Sequence, residues 1–199
     1  MTENERKLID AARKALIEKD DQLALDYYME VTKENENNAE ASYWTYTALW
    51  QNYVDNQESN ENKNTAFWAV SGTLVKAIEE IAASEWSKDV KMLVIGRFVG
   101  LYSLIADFVV KAPIASPATR IQMAATTLYD AGNAIERIYA SDPDMMITAC
   151  MAWKSAVKIQ RQFYGYAYDG NKAEDYAVKI QKHQPDYVMP NKAGCISKG

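Results

Sequence analysis

The 199-residue chain is poor in the residues that punctuate or staple a fold: it has 8 glycines, 5 prolines, 2 cysteines and a single histidine. Two thiols, Cys150 and Cys195, cannot make a disulfide framework or a four-thiolate zinc centre. One imidazole, His183, removes every site that needs a histidine pair, including the His-Glu-x-x-His zinc motif. There is no glycine-rich phosphate loop and no nucleophile elbow. Runs of alternating polar and apolar residues are missing too, which argues against half-buried strands.

What is present is apolar substance in a helical rhythm. Hydrophobic residues make up 48% of the chain, and a chain of this length can bury roughly 70% of the surface its unfolded form exposes, so a core can form without staples. Apolar positions recur three and four apart almost throughout, which predicts an all-α domain of about eight helices. Thr2 and Glu5 fit a capping box opening a first helix faced by Leu8, Ala11, Ala12, Ala15 and Leu16. Asp20-Asp21 marks a turn, and Leu23, Ala24, Tyr27, Tyr28 and Val31 face a second helix. Asn37 or Asn38 caps a third from about Ala39 to Tyr53.

The polar segment 55–64 reads as a surface loop, followed by an amphipathic helix through Phe67, Val70, Leu74, Ala77, Ile78 and Ile81. A more apolar helix from about Lys88 to Val110 follows. Ser116-Pro117 and Asp142-Pro143 each place a capping side chain before a proline suited to a first helical turn. The helices they open are faced by Ile121, Ala124, Leu128, Ala131, Ile135 and Ile138, and by Met146, Ala149, Cys150, Trp153, Val157 and Gln160. Asn171 with Glu174 forms another capping box, and a short last helix ends near Lys182. The expected organisation is one helical domain over 1–183, made of a hairpin region over 1–54, the loop and longer helices over 65–183, with a tail over 184–199.

The span from Leu8 to Ala41 resembles one tetratricopeptide repeat, a 34-residue helix-turn-helix unit. Ala11-Ala12 stand at its small-residue position, Ala24 at the alanine that opens the second helix, and Tyr28 at the aromatic that wedges against it. Asn37-Asn38-Ala39-Glu40-Ala41 matches the turn into a next repeat. Leu8, Ala15, Val31 and Glu36 depart from the pattern, and Glu58 stands at the next helix-opening alanine, so the match covers one repeat and one further helix. The resemblance implies stacked helical hairpins continuing into an irregular stack or bundle, and a non-catalytic scaffold or adaptor function through a groove that takes a protein or peptide. The carboxylate-clamp positions of some family members align with Ile9, Arg13 and Trp44, so that clamp is not carried over.

Two constellations are candidates for partner binding. Tyr43, Tyr46, Trp50 and Tyr53 lie three, four and three apart, which puts four aromatics along one face of the third helix, either as core or as an aromatic groove. Lys154, Lys158 and Arg161 form a basic stripe at i, i+4 and i+7, followed by Phe163, Tyr164, Tyr166 and Tyr168; this is a solvated helix face, an acidic-partner surface or a weak nucleic-acid surface. Gly96 and Gly100, four apart, allow close helix approach. Glu79-Glu80 and Asp142-Asp144 are adjacent or nearly so and diverge on a helix. Cys150 reads as a small buried hydrophobe and Cys195 as an inert tail thiol.

Charge is uneven. Residues 1–100 carry 11 basic and 18 acidic side chains, a balance of −7, and residues 101–199 carry 11 and 9, a balance of +2. The acidic front half repels phosphate, so no nucleic-acid partner is expected. Met92–Val110 is long enough to span a bilayer, but Arg97 and Asp107 interrupt it, so a core helix is expected and no membrane partner. The acidic N-terminus is unlike a secretory leader, and the expected location is cytoplasmic. No cofactor, metal or catalytic residue is expected. The alternative, a small-ligand-binding or catalytic helical protein, needs a concave pocket with convergent polar groups.

Overall fold

The computed structural model describes residues 1–111, 117–163 and 172–192. Among them the chain is all-α, with eight helices and no strand: α1 (Glu3–Glu18), α2 (Asp21–Glu34), α3 (Ala39–Asp55), α4 (Asn60–Ala83), α5 (Lys88–Lys111), α6 (Pro117–Tyr139), α7 (Pro143–Gln162) and α8 (Lys172–His183). They divide into two compact units, residues 1–98 and 99–199. This arrangement agrees with a helical-repeat or bundle architecture.

In the first unit, caps written in the sequence set the helix starts. The Thr2 hydroxyl accepts the Glu5 N–H while a Glu5 carboxylate oxygen accepts the Thr2 N–H, closing the capping box of α1. Lys19 takes a left-handed conformation (φ 63°) that ends α1, and the Asp20 side chain accepts the Leu23 N–H to begin α2. Asn38 caps α3 by accepting the Ala41 N–H. Successive helices α1 to α4 pack as neighbours. Ala12, Ala24 and Tyr28 are fully buried.

The polar stretch 55–64 is shorter as a loop than its composition suggests. Ser59 accepts the Asn62 N–H, and α4 is already helical at Asn60. A serine cap outweighs local polarity because it satisfies a backbone donor that otherwise has no partner. The core of the unit closes on Phe98 of α5, whose ring stacks on Tyr43 at 4.5 Å and lies 5.5 Å from Trp44. Arg97 donates to the Leu16 carbonyl at 2.8 Å and to Asp21 at 2.5 Å, so its charge sits on the exposed carbonyl end of α1. α5 is long and apolar enough to cross a membrane by length and composition, and half of its most apolar window is buried.

In the second unit, Asp142 accepts the Asp144 and Met145 N–H groups and Pro143 occupies the first turn of α7. Ser116 and Asn171 lie outside the described residues. α7 packs on α6 and α8. Cys150 and Trp153 are fully buried, as the spacing predicts, whereas Ile138 is 39% exposed and does not belong to the core face of α6. A side-chain Cβ at Gly100 would meet nothing within 4 Å, so the close helix approach is not made there. It is made at Gly132, against the Trp153 indole.

Candidate functional site

The aromatic face of α3 is split by the fold. Tyr43 is fully buried and its hydroxyl donates to the Phe98 carbonyl at 2.7 Å, and Trp50 is only 5% exposed. Tyr46 and Tyr53 are half-buried. The four-ring surface allowed by the spacing is therefore not formed: two rings belong to the core because α3 is covered on both the α2 and α4 sides, and only Tyr46 and Tyr53 keep part of their surface.

The basic stripe of α7 is turned onto this chain's own groups. The Lys154 ammonium lies 5.3 Å from the Tyr187 ring centroid, and Lys158 pairs with Asp107 at 3.2 Å. Arg161 donates to Glu174 at 2.8 Å and to the Pro190 carbonyl at 2.9 Å. Residues 184–192, read as tail, are thus held against α7 and α8 in part; Gln181 also donates to the Tyr187 carbonyl. Tyr164, Tyr166, Tyr168 and Cys195 lie outside the described residues.

A concavity of the first unit lies elsewhere, in a cleft of about 450 Å³ walled by α1, the α2–α3 turn, the C-terminal end of α4 and Trp86. At its floor the Arg13 guanidinium, 4% exposed, donates from Nε and Nη2 to the two oxygens of Glu40, at 2.8 and 2.5 Å. The Tyr28 hydroxyl donates to the same carboxylate at 2.8 Å. Burial alone lowers an arginine pKa, but Glu40 outweighs it and the guanidinium is held above its ordinary value. Tyr28 is pushed well up by burial and by the neighbouring Glu40 charge.

Three other acidic groups of the cleft are also fixed. Glu80 accepts the Ala39 N–H at 3.2 Å and the Glu40 N–H at 3.0 Å, placing a carboxylate on the positive end of α3. Asp10 accepts the Trp86 indole N–H at 2.6 Å and so fixes the ring at the cleft edge. Glu5 is buried and accepts from Asn35, Asn38 and the Thr2 N–H. Burial raises its pKa, but the three hydrogen bonds together with the nearby α-amino group win, and the carboxyl titrates below the usual range.

Arg13 is the residue that the sequence offered as a mismatched clamp position, and Glu40 carries no local signal of its role. Their separation of 27 residues, one hairpin plus a turn, is what brings them together. Of the adjacent pair Glu79-Glu80, only Glu80 faces the cleft. Among the described residues no group of three or more His, Cys, Asp or Glu side chains could hold a metal ion. Comparison with protein-family models, with curated proteins and with solved structures finds no match to the chain.

Proposed function

We propose that the chain is a non-catalytic protein-protein interaction module whose N-terminal hairpins, tetratricopeptide-like in their small-residue and aromatic positions, present the α1/α4 cleft to a partner segment. The observation that carries this reading is the state of the cleft's carboxylates. A general acid or base needs a pKa poised near the working pH and a free path for its proton. Here Glu5 is held ionised by three donors, Glu40 is locked between Arg13 and Tyr28, and Glu80 caps a helix. Carboxylates fixed by hydrogen bonds beside apolar Ile9 and Ala83 suit recognition better than proton transfer. Tyr46 and Tyr53, the half-buried members of the aromatic face, extend the candidate surface of the same unit.

α5 is read as a core helix of a water-soluble, cytoplasmic chain, supported by the two charges inside Met92–Val110, Arg97 and Asp107, being spent on Asp21 and on the Lys111 and Lys158 ammonium groups. Nucleic acid is not the proposed partner, because each cation of the α7 stripe is already occupied within the second unit.

The cleft also meets the requirement of the second reading, small-ligand binding. One experiment separates the two. Ala83 is exposed at the cleft wall, so Ala83→Trp fills the opening without touching the core. Partners captured from cell extract by the wild-type chain are expected to be lost with Ala83→Trp and kept with Val178→Trp on α8. An unchanged set of partners with both variants overturns the interaction reading for this cleft.

A further inference from the structure

The cleft of the first unit is acidic where it opens. Its lining carries Glu5, Asp10, Glu40, Glu80 and Glu85 against Arg6 and Arg13, and the unit as a whole has a formal side-chain charge of −7. One of those pairs, Arg13 with Glu40, is neutralised internally at the floor. That leaves Glu5, which is buried and faces the α-amino group of Met1, and the less buried Asp10, Glu80 and Glu85 beside Trp86 in the lining, with Arg6 the cation among the remaining lining side chains. A low-dielectric wall concentrates such a field, so a cation entering the mouth is attracted more strongly than the same ion at an open surface. Trp86 adds a π-face, the best of the aromatic side chains for holding an ammonium or guanidinium, and its orientation is set by the bond to Asp10.

The floor offers the opposite polarity. Two of the five guanidinium N–H groups of Arg13 are donated to Glu40, and the side chain, almost wholly buried, still lines the cleft. The charge of Arg13 is cancelled by Glu40, so what it offers a visitor is hydrogen-bond donors without net charge. A neutral acceptor suits that floor better than a second carboxylate, which meets the field of the mouth first. A peptide carbonyl is such an acceptor.

We infer that the cleft takes an extended basic segment of a partner protein, with one lysine or arginine side chain held against Trp86 among Asp10, Glu80 and Glu85, and a neighbouring peptide carbonyl directed to Arg13. This rests on the interaction reading above and specifies the chemistry of the partner. The volume of about 450 Å³ lies within the ~300–1,000 Å³ of sites that enclose ligands of this size. Electrostatic attraction of this kind acts first on the association rate and is screened by salt.

The test is a titration of the full chain with fluorescently labelled short peptides alternating alanine with lysine, with glutamate or with serine, read by anisotropy at low and physiological salt. The lysine peptide is expected to bind the tightest, weakening with salt. Asp10→Asn, which keeps the acceptor for the Trp86 N–H, and Glu85→Gln are each expected to weaken it by up to about fivefold. Trp86→Leu is expected to weaken it by about threefold or more. Lysine-peptide binding that ignores all three substitutions overturns the inference. Preference for the serine or glutamate peptide overturns it while leaving the cleft as a docking site, and the Ala83→Trp capture experiment then stands on its own. If N-acetyl-lysine amide binds as tightly as the peptide, the occupant is a small cation and the peptide assignment fails. Binding of none of the probes overturns the inference as well.

Discussion

A Cβ atom on Gly132 would stand 2.3 Å from the Trp153 indole nitrogen and 2.5 Å from its Cδ1. α6 and α7 meet at this point, with the indole fully buried between them. Trp153 is itself held from α8: the Lys179 ammonium lies 4.4 Å from its ring centroid and also donates to Asn133. The indole is fully buried against this position, so the glycine is required for contact and not for backbone freedom.

Gly132→Ala therefore sets two effects against each other. Alanine is favoured in a helix interior by about 1 kcal/mol, whereas forcing a methyl into a packed core costs about 1–3 kcal/mol. Because the neighbour is a rigid, buried ring, the second effect is expected to win, and the urea midpoint of the second unit falls. Trp153→Leu in the Gly132→Ala background is expected to cost less than the same change in the wild type. A rise in midpoint for Gly132→Ala alone shows that the helices separate freely.

The buried pair of Arg13 and Glu40 makes a sharper prediction. Glu40→Gln leaves a guanidinium that is 4% exposed without its counter-charge, and breaking a buried pair on one side costs about 3–5 kcal/mol. Removing both charges with Arg13→Met and Glu40→Leu is expected to cost clearly less than the sum of the two single changes, especially with Tyr28→Phe added so that no hydroxyl is orphaned. Denaturation of the full cycle measures the coupling. Strict additivity shows that the pair is solvated in solution.

The helices, most of their caps and the first hairpin could be read along the chain because each depends on residues within a few positions of one another. Thr2 with Glu5, Asn38 with Ala41, and Asp142 with Pro143 are local chemistry. The cleft could not be read that way. Arg13 meets Glu40 across 27 residues, Glu80 meets the start of α3 across 40, and Trp86 meets Asp10 across 76. Spacing along α3 placed Tyr43 and Trp50 on one face with Tyr46 and Tyr53, but which rings are covered depends on α2 and α4, which lie on either side of that helix. Gly132 gave no sign either, since the partner that makes it necessary is 21 positions away.

Acid is expected to loosen the start of α1 through Glu5. Its carboxyl titrates lower in the folded chain than in the unfolded one, so the folded state binds fewer protons. The stability it contributes is complete above the unfolded pKa, about 4.3, and is lost as the pH falls through the lower folded value. Glu5→Gln is expected to lower stability near neutrality and to flatten the decline below about pH 4. Urea midpoints measured across the acid range test this, and an equally steep decline in both proteins removes Glu5 as its source.

The C-terminal segment is expected to depend on Arg161. Its guanidinium bridges α8, through Glu174, and the segment beyond it, through the Pro190 carbonyl, using Nη1 for one and Nε for the other. Lysine has one charged group on a flexible stem and cannot span both acceptors in that geometry. Tyr187, within the segment, is half-buried, its hydroxyl pushed up in pKa by burial. Both Arg161→Ala and Arg161→Lys are therefore expected to free residues 187–192 and speed amide exchange there. α7 itself stays protected, because its core face of Ala149, Trp153, Ala156 and Val157 is untouched. Since the ion pair is partly exposed, the global stability change is expected to stay within about 1 kcal/mol. Hydrogen-exchange mass spectrometry separates the local effect from the global one: unchanged exchange over 187–192 shows that Gln181 and Lys154 hold the segment without the arginine, whereas faster exchange throughout α7 shows that Arg161 supports the unit as a whole.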